Sequence, residues 1–339
     1  MKFSMRCILL AVCISVSGCV KQNVPEYKSS ESAEKFGNLV VKVSHESANT
    51  RSVADYGRVL SDESAVNNLE VFVFDAVAGR LERSLIMASA DMECRFELPV
   101  GEKVVYAVVN GPDMSKVQSL AHIRALRYDL SDVSLAENGF VMIGSEECVV
   151  SHGVVSYPEV MVRRLVSRVE LRSVKCNVAS QYEAMKVECA YLGDAYSCQS
   201  FSGEVSALLN PGGYADSEPK VPIGLAGIKG SCPEYLYRDL DMDVVRGDTS
   251  SEPVYLYCQP DGGQGITCLY LLVSIGEGKY YYRVPLDKGL LANTTCVVNA
   301  VITNLGAPLP PDGDVQKGEI VASITVEDWD MGDQYYAEF

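Results

Sequence analysis

The sequence predicts an all-β protein: two β-sandwich domains with one short helix. From residue 38 onward the chain runs in short stretches rich in Val, Tyr and Thr. Gly, Asn, Asp and Pro break these stretches at roughly the 8–12-residue spacing of sandwich strands. A single segment, Asp113–Leu130, follows Pro112 and carries Val117, Leu120, Ile123 and Leu126 at helical spacing. No sustained strand–helix alternation occurs, which argues against a parallel doubly wound sheet. The chain of 339 residues is long enough for two such domains.

The first expected strand is Leu39–His45. Leu39, Val41 and Val43 lie on one face, with Lys42 and Ser44 on the other, shared by Val40. Leu69–Asp75, Arg80–Met87, Cys94–Leu98, Lys103–Asn110 and Val141–Val150 follow as strands. Pro158 interrupts the next stretch, and a long new strand, MVRRLVSRVELRSV (161–174), begins the second half. Met185–Leu192, Val254–Cys258, Thr267–Ile275, Lys279–Pro285, Thr295–Asn304 and Glu319–Asp328 complete the set. In the last of these, Ile320, Ala322, Ile324 and Val326 line one face, opposite Ser323, Thr325 and Glu327. The expected division is 1–19 signal, 20–51 propeptide with the first strand, 52–162 N-terminal sandwich and 163–339 C-terminal sandwich.

Composition narrows function mainly by exclusion. A hydrophobic fraction of 47% with 22% charged residues is that of a globular chain. Forty-five acids against 29 bases, a net charge of −16, speak against a nucleic-acid partner. Residues 1–19 combine Lys2 and Arg6 with an apolar run, Cys7–Val16, too short to cross a bilayer core of about 30 Å. The run ends in Val16-Ser17-Gly18-Cys19, which resembles a bacterial lipobox with Cys19 as the lipidated residue. Position 20 is Val rather than Asp, so the expected destination is the outer membrane or cell surface. Residues 20–37 are polar and read as a tether.

Twelve cysteines are present, three of them (7, 13 and 19) in the signal. The nine others are an odd number and form no CxxC, so the expectation is mostly buried free thiols with one or two bridges, and no zinc site. Only three histidines occur, at 45, 122 and 152, and no HExxH, GxSxG, phosphate loop or GxGxxG is present. Asp239, Asp241 and Asp243 lack the Gly and Glu of a calcium loop and read as a solvated acidic loop, with a looser cation site as the lesser reading. Gly262–Gly265 reads as a tight turn. Arg246-Gly247-Asp248 reads as a turn or, on the tripeptide alone, as an integrin-type motif. No catalytic, cofactor or metal constellation emerges, so no enzyme activity is expected.

Three stretches together carry a resemblance: VMVRRLVSRVELRSV (160–174), KYYYRVPLDKGLLANTTCVVNAVITNLG (279–306) and GEIVASITVEDWD (318–330). In this order, with a lipobox and a downstream Arg, they resemble the fimbrillin superfamily, the type V pilus subunits of Bacteroidia-type bacteria, and the major (stalk) group above all. The resemblance implies two transthyretin-like β-sandwich domains and export as a lipoprotein through Cys19. It also implies that an arginine-specific surface protease cuts between Arg51 and Ser52, or at nearby Arg58, and removes the provisional strand of Leu39, Val41 and Val43. A donor strand from another subunit, here Ile320, Ala322, Ile324 and Val326, then fills the groove by β-augmentation. Trp329 would be an anchor at the subunit junction or a core residue of its own domain.

The implied partners are other copies of the chain and related fimbrillin subunits, the outer membrane before cleavage, and the protease. The implied location is the fimbrium. The alternative is a tip or anchor subunit, or a surface adhesin that binds a host or bacterial ligand through loops such as 239–250.

Overall fold

The computed structural model describes residues 35–45, 63, 65–87, 93–130, 139–209, 234–250, 252–308 and 320–328. The first half supplies β1 (Phe36–His45), β2 (Leu69–Asp75), β3 (Leu81–Met87), β4 (Glu93–Pro99) and β5 (Gly101–Val109). The helix α1 (Leu120–Ala125) and the strands β6 (Arg127–Asp129), β7 (Met142–Val150), β8 (Val155–Ser156) and β9 (Glu159–Arg164) follow. The second half contains β10 (Ser167–Cys176), β11 (Ala184–Gly193), β12 (Ala195–Ser200), β13 (Val205–Leu209) and β14 (Tyr237–Val245). Then come β15 (Val254–Cys258), β16 (Cys268–Ile275), β17 (Gly278–Pro285), β18 (Thr294–Ile302) and β19 (Ile320–Asp328).

In the first half the strands run in the order β3-β2-β5-β7-β9-β1-β4, with β8 also on β1. β7 and β9 share only the pairs Met142–Arg164 and Ile143–Arg163, so the sheet is all but divided there into two leaves. Both leaves feed one core: Leu39, Val41 and Val43 from β1 meet Val71, Val73, Val105, Ala107, Leu98 and Val160. The alternation that sends every second β1 side chain inward is the one that sequence spacing predicts.

The second half has two four-stranded sheets, β15-β10-β18-β19 and β14-β11-β16-β17. Their facing sides enclose a core that includes Val169, Leu171, Val187, Leu192, Leu256, Leu271, Val298 and Ile302. A three-stranded sheet, β13-β12-β6, ties the halves together, because β6 comes from the first and β12 from the second. Around this tie lies a third cluster of Phe72, Phe74, Ile123, Tyr128, Phe140, Leu165, Val166 and Tyr257.

Several expectations need correction. The helix is shorter than 113–130, spanning only Leu120–Ala125. Ser119 caps it by accepting from the His122 amide at 3.1 Å, and Leu126 leaves helical geometry at ψ 141°. Val117, Tyr128 and Leu130 are buried as parts of a segment wrapped over the junction core rather than as one helical stripe.

The expected strand over 161–174 is two strands in different sheets, β9 and β10. Between them the Leu165 amide donates to Val141 O at 3.1 Å, and Val166 O accepts from the Asn293 amide at 3.0 Å. Both side chains drop into the junction core, which turns the chain from one sheet to the next.

Asp239, Asp241 and Asp243 are not in a loop. They are the exposed face of β14, whose other face carries Leu240, Met242 and Val244 against the core. Arg246-Gly247-Asp248 is an exposed turn. Gly247 sits at φ +93°, which favours glycine, and its amide donates to Cys176 O at 2.7 Å. The strands β12 and β13 went unanticipated.

Gly262–Gly265 is a turn, as expected, organised by a buried carboxylate. Asp261 is fully buried; one of its oxygens accepts from the amides of Gly263 (2.9 Å) and Leu290 (2.7 Å), the other from Ile266 (3.1 Å). The eight described cysteines are all free, which corrects the expected bridges among them. Six are buried and behave as small apolar residues. Burial pushes the thiols of Cys189 and Cys268 up to about 11 and that of Cys296 up to about 12.

Two outcomes follow. Asp261→Ala removes the buried carboxylate that accepts from three amides and lowers stability by about 3–5 kcal/mol, read from the urea midpoint. At pH 8 the raised pKa values keep Cys189, Cys268 and Cys296 protonated. Burial also covers their sulfurs, so iodoacetamide labels half-buried Cys148, whose own thiol is raised by burial, and Cys198 before these three in the native protein, and all five in urea, as peptide mapping will show.

Candidate strand-exchange site

β1 occupies an interior position in its sheet. On one side it pairs antiparallel with β4 from Phe36–Pro99 to Lys42–Glu93. On the other it runs parallel to β8, at Asn38–Val155 and Leu39–Ser156, and to β9, from Lys42–Glu159 to His45–Val162. The Lys42 amide bridges these two parallel stretches by donating to Pro158 O at 3.1 Å. Among the described residues, β4 has no other strand partner.

The side chains match this position. Leu39 and Val41 are fully buried and Val43 is 2% exposed, while Lys42 points to solvent. Val40, on the outer face, is also buried. Gly37 is held so closely that an added Cβ would lie 2.4 Å from Ser151 O, so the strand start tolerates no side chain. At the surface, Lys42 pairs with Glu159 at 3.1 Å, and that hydrogen bond holds the Glu159 carboxyl below the usual carboxylate range. Both groups are exposed, so the pair sets position more than stability.

Removing β1 would expose a slot floored by the buried residues of the opposite leaf. Its rims are the backbones of β4 on one side and β8–β9 on the other. Leu98 and Cys94 on β4, with Val160 and Val162 on β9, would become its walls. The alternation of these rim residues was visible in sequence; their adjacency to β1 was not, because strand order is a long-range property.

The terminal strand is placed differently. β19 lies at the edge of its sheet, antiparallel to β18 from Thr294–Asp328 to Ile302–Ile320. Ala322 and Ile324 are half-buried against the C-terminal core, whereas Val321 is 63% exposed and Ser323 and Thr325 face solvent. Ile320 and Val326 take their places in the backbone register. In this chain, then, β19 closes its own sheet.

The other predicted positions, Cys19, Arg51, Ser52, Arg58 and Trp329, lie outside the described residues. Among the described residues no group of three or more His, Cys, Asp or Glu side chains is placed to hold a metal ion. An open depression of ≈ 400 Å³ lies beside the start of β1, lined by Phe36, Arg83, Arg95, Phe96 and Glu97. None of these residues is buried, so it lacks the desolvated walls of a small-molecule site.

Residues 38–155 match the sequence profile of a family described as "Major fimbrial subunit protein (FimA)". Comparison with curated protein sequences returns no match. Among solved structures, a candidate cell adhesion protein from Parabacteroides distasonis is similar with a TM-score of 0.63 at 14% identity, over 87% of this chain and 97% of that one. A second candidate cell adhesion protein, from Bacteroides eggerthii, gives 0.60 at 14% identity, over 87% and 96%. A fimbrilin (FimA) from Porphyromonas gingivalis gives 0.58 at 16% identity, over 89% and 99%. At such identities these likenesses establish a shared fold. Residues 38–155 thus carry the sequence profile of the major fimbrial subunit family, and the fold of these solved structures is shared along most of the chain.

Proposed function

We propose that this chain is a stalk subunit of a type V pilus. It is exported as a lipoprotein through Cys19, is cut between Arg51 and Ser52 at the cell surface, and then polymerises by strand exchange. The observation that carries this reading is the position of β1. It is an interior strand lying upstream of Arg51, and it is the only strand that pairs β4 among the described residues. Its three inward side chains stabilise the sandwich by about 5–9 kcal/mol, at 1.5–3 kcal/mol for each fully buried aliphatic group. That matches the whole stability of a typical domain, about 5–15 kcal/mol. A cut that releases β1 therefore demands a replacement strand.

The most suitable occupant in the sequence is β19. It alternates Ile320, Ala322, Ile324 and Val326 against polar residues, and it is an edge strand with one backbone partner to lose. Transfer of β19 into the slot of a second copy is heterologous, so it builds an open filament rather than a closed dimer. The partners in this reading are other fimbrial subunits, the outer membrane before cleavage, and an arginine-specific protease.

A second reading takes support from the seating of β19 in its own sheet. A subunit that retains β19 accepts a strand but donates none, and one that retains β1 donates but accepts none. Those are the positions of a tip and an anchor. An adhesin role would add a surface ligand held by exposed loops.

Determining the N-terminus of protein taken from the cell surface separates these readings. A stalk subunit begins at Ser52; a start at Val59 moves the cut to Arg58, and an intact lipidated Cys19 identifies an anchor. Arg51→Ala keeps the N-terminal segment attached and abolishes the ladder of multimers in mildly heated gels. Filaments that persist after deletion of 319–339 would rule out β19 as donor. In the uncleaved chain, Leu39→Ala costs about 2–5 kcal/mol, while exposed Val321→Ala changes stability by about 0.5 kcal/mol or less, both read by urea unfolding.

A further inference from the structure

Between β1 and β2 the chain carries one acidic side chain in a wholly buried setting. Glu63 is 2% exposed, and its partners come from three strands of the sandwich junction. Its carboxylate accepts from Arg168 Nη1 at 3.0 and 3.3 Å and from the Tyr257 hydroxyl at 2.5 Å. Its backbone carbonyl accepts from Arg164 Nε at 3.1 Å.

The two arginines are themselves fixed. Arg164 is fully buried and Arg168 is 2% exposed; Arg168 Nε donates to Thr295 Oγ1 at 3.0 Å, and its guanidinium lies 5.2 Å from the Tyr255 ring centroid. A second grip follows immediately: Asn110 Nδ2 donates to Ala65 O at 2.7 Å, and its Oδ1 accepts from the Asn67 amide at 2.9 Å. The chain is thus held at Glu63, Ala65 and Asn67, by both side-chain and backbone atoms.

A buried ion pair is weak evidence for stability as such, because apolar residues often serve as well. Here its location matters. Arg58 precedes Glu63 by five positions and Arg51 precedes it by twelve. A protease draws its substrate out as an extended strand with several residues on each side of the cut. For Arg58, the downstream residues end at an anchored carboxylate; for Arg51, they do not reach it.

We propose that Glu63, gripped by Arg164, Arg168 and Tyr257, is a retaining clamp. It ends the removable segment and keeps everything downstream on the body of the subunit, so that a cut after Arg58 has fewer residues free of the clamp on its downstream side than a cut after Arg51. The inference deepens the processing step proposed above and rests on it for its biological meaning. The residues involved are positioning residues, and their effect is on where the chain can be cut.

The test uses the full chain and a soluble arginine-specific endoprotease in limited digestion. Mass spectrometry gives the ratio of product beginning at Val59 to product beginning at Ser52. Wild type yields mainly Ser52. Glu63→Gln removes the charge from the clamp and raises the ratio about tenfold or more, in line with the loss of a charge-assisted bond. Tyr257→Phe deletes a single donor while the ion pair stays, and raises the ratio by a smaller factor even if Glu63→Gln fails to fold. Equal ratios in wild type and the folded variants, or a wild-type product beginning at Val59, overturn the clamp. Because the protease is supplied, the outcome is independent of processing in the cell. A shifted ratio in digestion alongside an uncut N-terminus on cells would defeat the processing reading and leave the clamp intact.

Discussion

One backbone constraint organises the N-terminal half: β4 must be paired from a single side. Its described partner is β1, and the apolar side chains of β1 complete the core that β4 helps to enclose. A buried strand backbone without a partner is costly, and an exposed one invites association. The sandwich is therefore built around a position that must always be filled, though by no particular chain. This separates the requirement for a strand from the identity of the strand, which is the condition strand exchange needs.

The two halves are bound by more than a linker. β6 crosses to pair with β12, and the aromatic cluster of Phe72, Phe74, Tyr128, Phe140 and Tyr257 spans the boundary. Arg164 and Arg168 flank the Leu165-Val166 step at which the chain changes sheets. Glu63, Thr295 and Asn293, from both ends of the sequence, accept hydrogen bonds from the two guanidinium groups of that step. This accounts for charged residues within a stretch that looks like an apolar strand. They face the inside of the junction rather than water, and Tyr257, pressed by burial and by the Glu63 carboxylate, is held well above its usual pKa.

The fold was most legible where a strand keeps one wet face. β1, β4 and β19 show an alternation that reveals which side chains turn inward. Legibility failed where packing differs from that pattern. The run through 161–174 hides the bend at Leu165, since β9 alternates exposed and buried residues up to Arg164 while β10 continues as a mostly buried run. The acids of β14 outweighed its apolar face, so a half-solvated strand looked like a loop. The Asp113–Leu130 stripe imitated a helix because a segment wrapping a core also presents apolar residues at irregular intervals. As for the site, the inward residues of β1 and β19 were readable, but the order of the strands around them was not. That order depends on pairings over long sequence separations. The Glu63 clamp left no local signal at all.

The mixed surroundings of β1 also have a mechanical meaning. With β4 antiparallel on one flank and β8 and β9 parallel on the other, the position has a direction, and its two ends are not equivalent. Any strand that reproduces these pairings must enter in one sense, so a fibre assembled through it is polar and its ends present different surfaces. A pull directed along the axis of the strand loads the hydrogen bonds on both flanks in shear, so that they resist together instead of opening one by one.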